Sequence, residues 1–174
     1  MSKESLKASL RTIQDFPIPG ICFWDLTTLF KNPQALKELD QDLYDLYKDK
    51  GITKVVGLES RGFPMGTALA LRLGAGFVLA RKPGKLPAET VSQSYAKEYG
   101  TDSIEIHKDA ITEDDVVLVH DDLLATGGTA AAAIELVKKF NPKAVYASFI
   151  IELKDLPGRA ALPQDVDVTS ILQL

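Results

Sequence analysis

Short apolar segments that alternate with helical ones constrain the fold of this chain more than any other feature. Val116–Val119 is an unbroken run of apolar, mostly β-branched residues, which is typical of a strand covered on both faces. Similar runs occur at Val55–Leu58, Phe77–Ala80 and Ala144–Ile151. The alternation predicts βαβ units, and therefore an α/β fold with a mainly parallel twisted sheet flanked by helices. Ligands of such sheets bind at the carboxyl ends of the strands.

The remaining segments are predicted from their spacing and their turn residues. Leu6, Leu10 and Ile13 recur at helical intervals, which predicts an amphipathic helix that ends before the proline-rich segment at 16–20. Asn32 and Pro33 predict the cap and first turn of a longer helix. Further helices are predicted at 63–73 and 129–140, a loop-rich stretch at 81–100, and a half-exposed strand around 104–106.

Length and composition predict a single domain. The chain has 174 residues, 45% of them hydrophobic, which suffices to bury a core without disulfides or a structural metal. Cys22 is the one cysteine and the two histidines lie far apart in sequence, so neither a disulfide within the chain nor a zinc site of the usual spacing is expected. No segment is apolar enough to span a bilayer and no secretory signal is recognisable, so a cytoplasmic protein is expected.

The charge distribution indicates a small anionic ligand. A net charge of −4 argues against a nucleic-acid-binding protein, because such proteins carry a basic face. Residues 60–88 nevertheless contain five basic side chains and no acid. A local basic region in an acidic protein favours a small anion over a polymer.

The most specific motif follows the strand at Val116–Val119. It begins with Asp121 and Asp122, continues through Leu123 and Leu124, and ends before a helix in a loop of five residues: Ala125, Thr126, Gly127, Gly128 and Thr129. Glycines allow close backbone approach, and the first amide groups of a helix lack internal partners, so the loop is suited to binding a phosphate. The two carboxylates beside it are compatible with sugar hydroxyls or a hydrated magnesium ion on the same ligand. The patterns of P-loops, dinucleotide-binding folds and serine hydrolases are absent.

This segment resembles the phosphoribosyl diphosphate motif of the type I phosphoribosyltransferases. Further stretches occur in the order found in the members of that family that act on adenine, and the matches extend from about residue 10 to residue 153. They are Phe16–Phe23 with Asp25, Glu59–Phe63, Arg81–Pro87, Ser94–Tyr95 and Glu98–Gly100. The resemblance implies one domain, 1–174, with a small N-terminal hood at about 1–32 and a core at about 33–174.

The activity implied by the resemblance is a step of purine salvage. Adenine and Mg²⁺-bound phosphoribosyl diphosphate would give AMP and diphosphate, through a transition state that resembles an oxocarbenium ion. The loop 125–129 would hold the 5-phosphate, and Asp121 and Asp122 would bond the ribose hydroxyls and stabilise the developing positive charge. No direct protein ligand of the magnesium is expected, since substrate and water near the two aspartates would hold it.

The other roles implied by the resemblance concern the diphosphate and the base. Near the diphosphate would lie Glu59, Ser60 and Arg61, with Arg81, Lys82 and Lys85 neutralising its charge across the interface of a homodimer. The adenine pocket would comprise Ile21, Cys22, Phe23, Arg61 and Leu123. Glu98, on a loop that closes over the site, would be the catalytic residue that transfers a proton at the base.

Three positions depart from the family pattern. His120 stands where an aliphatic residue is usual, Trp24 where a basic residue is frequent, and Pro83 where a charge is possible. Two alternatives are also open: an enzyme for hypoxanthine, guanine or xanthine, and a non-catalytic regulator that senses phosphoribosyl diphosphate. A regulator would be expected to carry a basic appendage or to lack the loop acid, and this chain has neither feature.

Overall fold

The computed structural model describes residues 3–97 and 100–174. The chain divides into two compact units, of which the first ends at Asp45 and the second begins at Leu46. No helix in the described ranges is both long enough and apolar enough to cross a membrane.

Helices and strands alternate along most of the chain. The helices are α1 (Lys3–Ala8), α2 (Thr27–Phe30), α3 (Pro33–Tyr47), α4 (Phe63–Leu73), α5 (Gly128–Lys138) and α6 (Gly158–Ala161). The strands are β1 (Arg11–Gln14), β2 (Cys22–Asp25), β3 (Lys54–Leu58), β4 (Gly76–Ala80), β5 (Thr90–Ala96), β6 (Thr101–His107), β7 (Val116–Leu124), β8 (Ala144–Glu152) and β9 (Asp167–Gln173).

The second unit is built on a five-stranded sheet in the order β4-β3-β7-β8-β9, with every neighbouring pair parallel. The predicted α/β fold with a parallel sheet is therefore confirmed. Its central strands are buried on both faces, since Val117, Leu118 and Val119 have no exposed surface. Chain order reverses between β3 and β7, because β3 leads through α4 to one edge and β7 leads through α5 toward the other.

Helix α5 packs on this sheet through its small and apolar residues. Ala133, Ile134 and Leu136 are fully buried in the main core cluster. Alanine favours helix and lets the helix axis approach the strands closely. The first turn of α5 is thereby fixed at the end of β7.

One sequence-based prediction for the first unit is wrong, because the helix predicted through Leu6, Leu10 and Ile13 ends earlier. Helix α1 ends at Ala8, and Ile13 lies in β1, which pairs antiparallel with β2. The helical interval of Leu6 and Ile13 was misleading because Asp25 of β2 forms an ion pair with Arg11 and stabilises the strand pairing instead. Hydrogen bonds from Thr27, and then from Arg11, lower the pKa of Asp25 to about 2.

Two other features of the first unit bear on the predictions. The predicted cap of α3 is confirmed, because the Asn32 side chain accepts hydrogen bonds from the backbone N–H groups of Gln34 and Ala35 at 3.1 and 3.2 Å. Trp24, which replaces a frequent basic residue, has the Lys7 ammonium 5.9 Å from its ring centroid. A positive charge is thus present beside that position in spite of the substitution.

The predicted loop-rich stretch 81–100 contains a strand that the sequence did not reveal. Strand β5 pairs antiparallel with β6, from Thr90 opposite His107 to Ala96 opposite Thr101. Its exposed serines alternate with half-buried residues, one of which is the polar Gln93, so the segment lacks the apolar run by which the other strands were recognised. The resulting β5–β6 hairpin adjoins β4 through a bridge between Arg81 and Glu105.

Candidate active site

The predicted phosphate loop lies where the order of strands in the sheet reverses. Glu59 follows β3, and Ala125 follows the adjacent strand β7. Between two strands whose connections leave in opposite directions, the loops separate and form a crevice.

A cavity of about 260 Å³ occupies this crevice. Its lining consists of Glu59, Arg61, Lys82, Asp121, Asp122, Leu123, Leu124, Ala125, Thr126, Gly127, Gly128, Thr129 and Ala130. The structure therefore brings together the predicted acid pair, the predicted phosphate loop, and two of the predicted cationic side chains.

A larger cleft of about 560 Å³ lies at the opposite, amino ends of β8 and β9. Its lysines are engaged by acidic neighbours, with Lys138 2.8 Å from Asp165 and Lys143 3.2 Å from Asp114. Neither a helix N-terminus nor a glycine loop faces that cleft among its lining residues. The smaller cavity is therefore the better candidate for an anion site.

The loop owes its shape to a glycine that no other residue can replace without strain. Gly127 has φ +84°, and a Cβ there would lie 2.5 Å from the carbonyl oxygen of Gly158. Helix α5 starts at the next residue, so its unpaired amide groups lie at the cavity. An anion in the loop would meet these N–H groups and the positive end of the helix dipole.

The two aspartates lie within β7, which continues to Leu124 rather than ending before them as its apolar run suggested. Asp122 is almost fully buried and its Oδ2 lies 3.1 Å from Nε of Arg61. Asp121 accepts a hydrogen bond from the backbone N–H of Asp122 at 2.8 Å. Burial, and then the neighbouring charge of Asp122, raise the pKa of Asp121 well above its ordinary value. Burial also raises the pKa of Asp122, against the opposing effect of Arg61.

Glu59 organises the other wall of the cavity. Its carboxylate accepts a hydrogen bond from the backbone N–H of Lys82 at 2.7 Å and contacts the guanidinium of Arg81 at 3.3 Å. The hydrogen bond from Lys82, and next that from Arg81, lower the pKa of Glu59 against the effect of burial. The peptide bond between Glu59 and Ser60 is cis. Arg81 is thus paired with Glu59, and its side chain is absent from the cavity lining.

The β5–β6 hairpin supplies two residues that sequence reasoning missed. Lys82 donates a hydrogen bond to the Tyr95 hydroxyl at 3.1 Å and forms an ion pair with Asp102. The hydrogen bonds from Lys82, and then from Lys97, hold the pKa of Asp102 well below its ordinary value. Tyr95 belonged to one of the stretches that carry the family resemblance but was given no role, and Asp102 belonged to none, because the pairing of β5 with β6 was not predicted.

The other predicted site residues do not line the cavity, or they lie outside the described residues. Lys85 is exposed in the turn after Lys82 and does not line the cavity. Ile21 and Cys22 are exposed and Phe23 is half-buried in the first unit, so Cys22 is not the buried small residue that its type favours. Glu98 lies outside the described residues.

His120 is fully buried behind the acid pair. Its Nδ1 lies 3.2 Å from the Ser148 hydroxyl, whereas Nε2 has no hydrogen-bond partner in the described structure. Burial lowers the pKa of His120 to about 4, so the imidazole is neutral at pH 7. It contributes no positive charge that could neutralise the aspartates.

Helix α6 packs against the phosphate loop, a contact that the sequence did not predict. A Cβ on Gly158 would lie 2.3 Å from the carbonyl oxygen of Ala125, so the two backbones are in direct contact. The next residue, Arg159, donates to both oxygens of the Glu152 carboxylate, with Nε to Oε1 at 2.7 Å. Arg159 first, and then Ser170 and Gln173, lower the pKa of Glu152 to about 2 against the effect of burial. This ion pair holds α6 against the end of β8.

The acid pair is compatible with a hydrated cation and less so with a directly bound one. No group of three or more potential metal-binding side chains occurs within residues 3–97 and 100–174. Apart from its ion pair with Nε of Arg61 at 3.1 Å, the buried Oδ2 atom of Asp122 has no hydrogen-bond partner in that part of the chain. Carboxylates with unused acceptor capacity suit the water shell of Mg²⁺, which binds proteins through one or two carboxylates and keeps several waters.

The comparisons with known proteins agree with this geometry. The family described as the phosphoribosyl transferase domain matches residues 25–170. An adenine phosphoribosyltransferase from Phocaeicola vulgatus is 68% identical over 174 residues, 100% of both chains. The crystal structure of the adenine phosphoribosyltransferase from Rhodothermus marinus superimposes with a TM-score of 0.93 at 50% identity, covering 99% of this chain and 98% of that one. The Giardia lamblia enzyme, complexed with 9-deazaadenine, gives 0.94 at 42% identity, covering 100% and 98%.

The chain belongs to the phosphoribosyltransferase family, whose members transfer a pentosyl group. Within that family it is similar over its whole length to adenine phosphoribosyltransferases. The resemblance indicated by the sequence motifs is therefore confirmed, as is the type I fold that it implied.

The contact between α6 and the loop predicts the effect of Gly158→Ala. The added methyl group must displace Ala125, so we expect a loss of about 1–3 kcal/mol in the free energy of unfolding and weaker binding of ribose 5-phosphate. Urea unfolding and calorimetric titration measure the two quantities. Gly76→Ala is the matched control, since its methyl group meets only the flexible side chain of Lys54. Unchanged stability and binding in Gly158→Ala would contradict the proposed support.

The raised pKa of Asp121 predicts a conflict between stability and activity. Its ionised form costs stability at every pH above the raised pKa, because the unfolded chain releases that proton more easily. Asp121→Asn removes this cost and keeps an oxygen for the Asp122 N–H. We expect the melting temperature at pH 7 to rise by about 2–4 °C, and the gain to vanish below about pH 3, where the carboxyl is protonated in the folded and in the unfolded state. Transferase activity should fall about a hundredfold.

The control for this substitution is Asp114→Asn in an exposed turn, which should change neither quantity. Scanning calorimetry at several pH values gives the stability, and a steady-state assay gives the activity. A lower melting temperature for Asp121→Asn at pH 7 would show that its charge stabilises the fold.

Proposed function

We propose that the chain transfers the 5-phosphoribosyl group from phosphoribosyl diphosphate to adenine, giving AMP and diphosphate. The observation that carries this proposal is the position of a glycine loop at the N-terminus of α5, in one cavity with the half-buried Asp121 and the buried Asp122. One part of that cavity suits a phosphate, and the other suits hydroxyl groups and positive charge. A sugar phosphate has the phosphate and the hydroxyl groups on one molecule.

The loop and the acid pair would act on different ends of this sugar. Amide groups of residues 125–129, with the hydroxyls of Thr126 and Thr129, would donate hydrogen bonds to the 5-phosphate. The carboxylates of Asp121 and Asp122 would accept hydrogen bonds from the ribose hydroxyls. A ribose held at both ends presents its anomeric carbon in one orientation, which is the main contribution that positioning makes to such a reaction.

The same carboxylates would stabilise the transition state. Positive charge develops on the ribose as the bond to diphosphate breaks, and Asp122 is almost fully buried. Charges interact more strongly in such a poorly solvated place than in water. The raised pKa of Asp121 reflects that same lack of solvation, and an approaching positive charge would favour its ionised form.

Mg²⁺ would be held mainly by substrate oxygens and by water that Asp121 and Asp122 orient. When bound, it would neutralise charge on the leaving diphosphate. Arg61, paired with Asp122 at one wall of the cavity, would add positive charge toward the diphosphate and the base. Lys82 would contribute positive charge within the cavity of its own chain, which it lines. Arg81 and Lys85 would contribute the remaining cationic field, and their reach across a homodimer interface is part of the proposal.

The residues that the resemblance assigns to adenine, namely Ile21, Cys22, Phe23, Arg61 and Leu123, are kept as our proposal for binding the base. Exposed apolar side chains of the first unit, including Phe16, Ile18 and Ile21, offer surface for a planar base. The Giardia lamblia relative was crystallised with 9-deazaadenine, which supports an adenine-like base as the substrate. We place residues 1–32 as the hood of a single domain, and the cytoplasm as the location of the enzyme.

A panel of bases tests the proposal. The protein is incubated with Mg²⁺ and phosphoribosyl diphosphate, then offered adenine, hypoxanthine, guanine or xanthine, and diphosphate release is measured. We expect release with adenine alone. Release with hypoxanthine but not adenine would refute the specificity, and no release with any base would favour a sensor of phosphoribosyl diphosphate.

The proposed proton transfer by Glu98 predicts a selective loss of turnover. Glu98→Gln keeps the size of the side chain but removes its acid, so kcat should fall about a hundredfold or more, while phosphoribosyl diphosphate binds nearly as before. Glu89→Gln, an exposed glutamate in the same stretch of chain, is the control and should behave as the unmodified protein. Equal losses in kcat and in substrate binding would make Glu98 a binding residue instead.

A further inference from the structure

Lys82 is held at both ends. Its backbone N–H donates to Glu59 at 2.7 Å, and its ammonium group donates to the Tyr95 hydroxyl at 3.1 Å and to Asp102. The ammonium also lies 5.7 Å from the centroid of the Tyr95 ring. A lysine fixed in this way loses little further freedom when an anion binds.

The carboxylate of Asp102 is the centre of this arrangement. One of its oxygens accepts from Lys82, from Lys97 at 2.6 Å and from the Tyr95 hydroxyl at 3.3 Å. The other accepts from the backbone N–H of Ser103 at 2.9 Å. Without this charge the two ammonium groups would repel each other, so Lys82 would leave its present position.

The Tyr95 hydroxyl joins the arrangement to the phosphate loop. It accepts a hydrogen bond from the Thr129 hydroxyl at 3.2 Å. The Tyr95 ring lies against Gly128, with its Cδ2 3.7 Å from where a Cβ of that glycine would be. Thr129, Tyr95, Asp102 and Lys82 therefore form one continuous hydrogen-bonded network beside the cavity.

We propose that Asp102 and Tyr95 are positioning residues of the transfer reaction, which hold the Lys82 ammonium beside the phosphate loop of its own chain. An ammonium group has three N–H donors. Asp102 and Tyr95 use two of them, and the third has no hydrogen bond among the described residues. Lys82 lines the cavity, so this donor is available to an anionic substrate. This inference rests on the proposed function and assigns residues outside the loop and the acid pair.

Asp102 also acts on the turn that connects β5 and β6. Lys97 donates its backbone N–H to the carbonyl oxygen of Gly100 at 2.9 Å, and its side chain returns to Asp102. One carboxylate thus ties the base of this turn to Lys82. The contacts predict that the two move together when Asp102 is replaced.

A double-mutant cycle tests the inference. Asp102→Asn removes the charge at constant size, Tyr95→Phe removes only the hydroxyl, and Lys82→Met removes the ammonium. We expect Asp102→Asn and Tyr95→Phe each to raise the KM for phosphoribosyl diphosphate about tenfold, with kcat changed less than about threefold. Added to Lys82→Met, Asp102→Asn should raise KM less than about twofold further, since the ammonium it positions is gone.

The control is Asp165→Asn, which removes another lysine-paired aspartate, at the opposite end of the sheet. It should leave KM and kcat unchanged. Effects of Asp102→Asn that multiply with those of Lys82→Met would show that Asp102 acts independently of the lysine, and a lower KM would show that it competes with substrate. Either result overturns the inference.

A failure of the proposed function can be distinguished from a failure of the positioning roles by assaying the unmodified protein. Unmodified protein that neither turns over adenine nor binds AMP in calorimetric titration would refute the function itself. Unmodified protein that does both, with Asp102→Asn and Tyr95→Phe equal to it, would refute only the positioning roles.

Discussion

The contact between two glycines underlies the site. Gly127 turns the chain with a positive φ, and the carbonyl oxygen of Gly158 occupies the space where a side chain would stand. That contact sets the path from β7 into α5, and so aims the amide groups of the first helical turn at one point. The helix dipole is directed at the same point, and the sheet places the acid pair beside it.

Opposite charges are separated between the two strands that form the crevice. Strand β7 carries the buried aspartates, while the segments after β3 and β4 carry Arg61 and Lys82. Each cation is held by a carboxylate of the chain, Arg61 by Asp122 and Lys82 by Asp102. A ligand with a sugar between anionic groups would match this arrangement, because negative and positive regions alternate along the crevice. The anionic groups of the ligand would face the positive regions, and its sugar would face the aspartates.

Local patterns predicted the parallel sheet and the glycine loop before α5, whereas contacts between distant segments were not predictable. The apolar run at Val116–Val119 and the glycines after it are signals contained within a few residues. The pairing of Ile13 in a strand depends on Asp25, and the role of Gly158 depends on Ala125, 33 residues earlier. Strand β5 escaped recognition because its stability comes from β6 and α5 rather than from its own apolar residues. No spacing rule within a single segment contains this information.

The support of the loop by α6 has a consequence for biosynthesis. The proposed anion-binding loop ends at Thr129, yet its shape depends on Gly158, and α6 is held through Glu152, Arg159 and Ser170. During translation the loop therefore emerges from the ribosome about forty residues before the last of its supports. Until β9 has joined the sheet, the nascent loop lacks the part of its support that passes through Ser170.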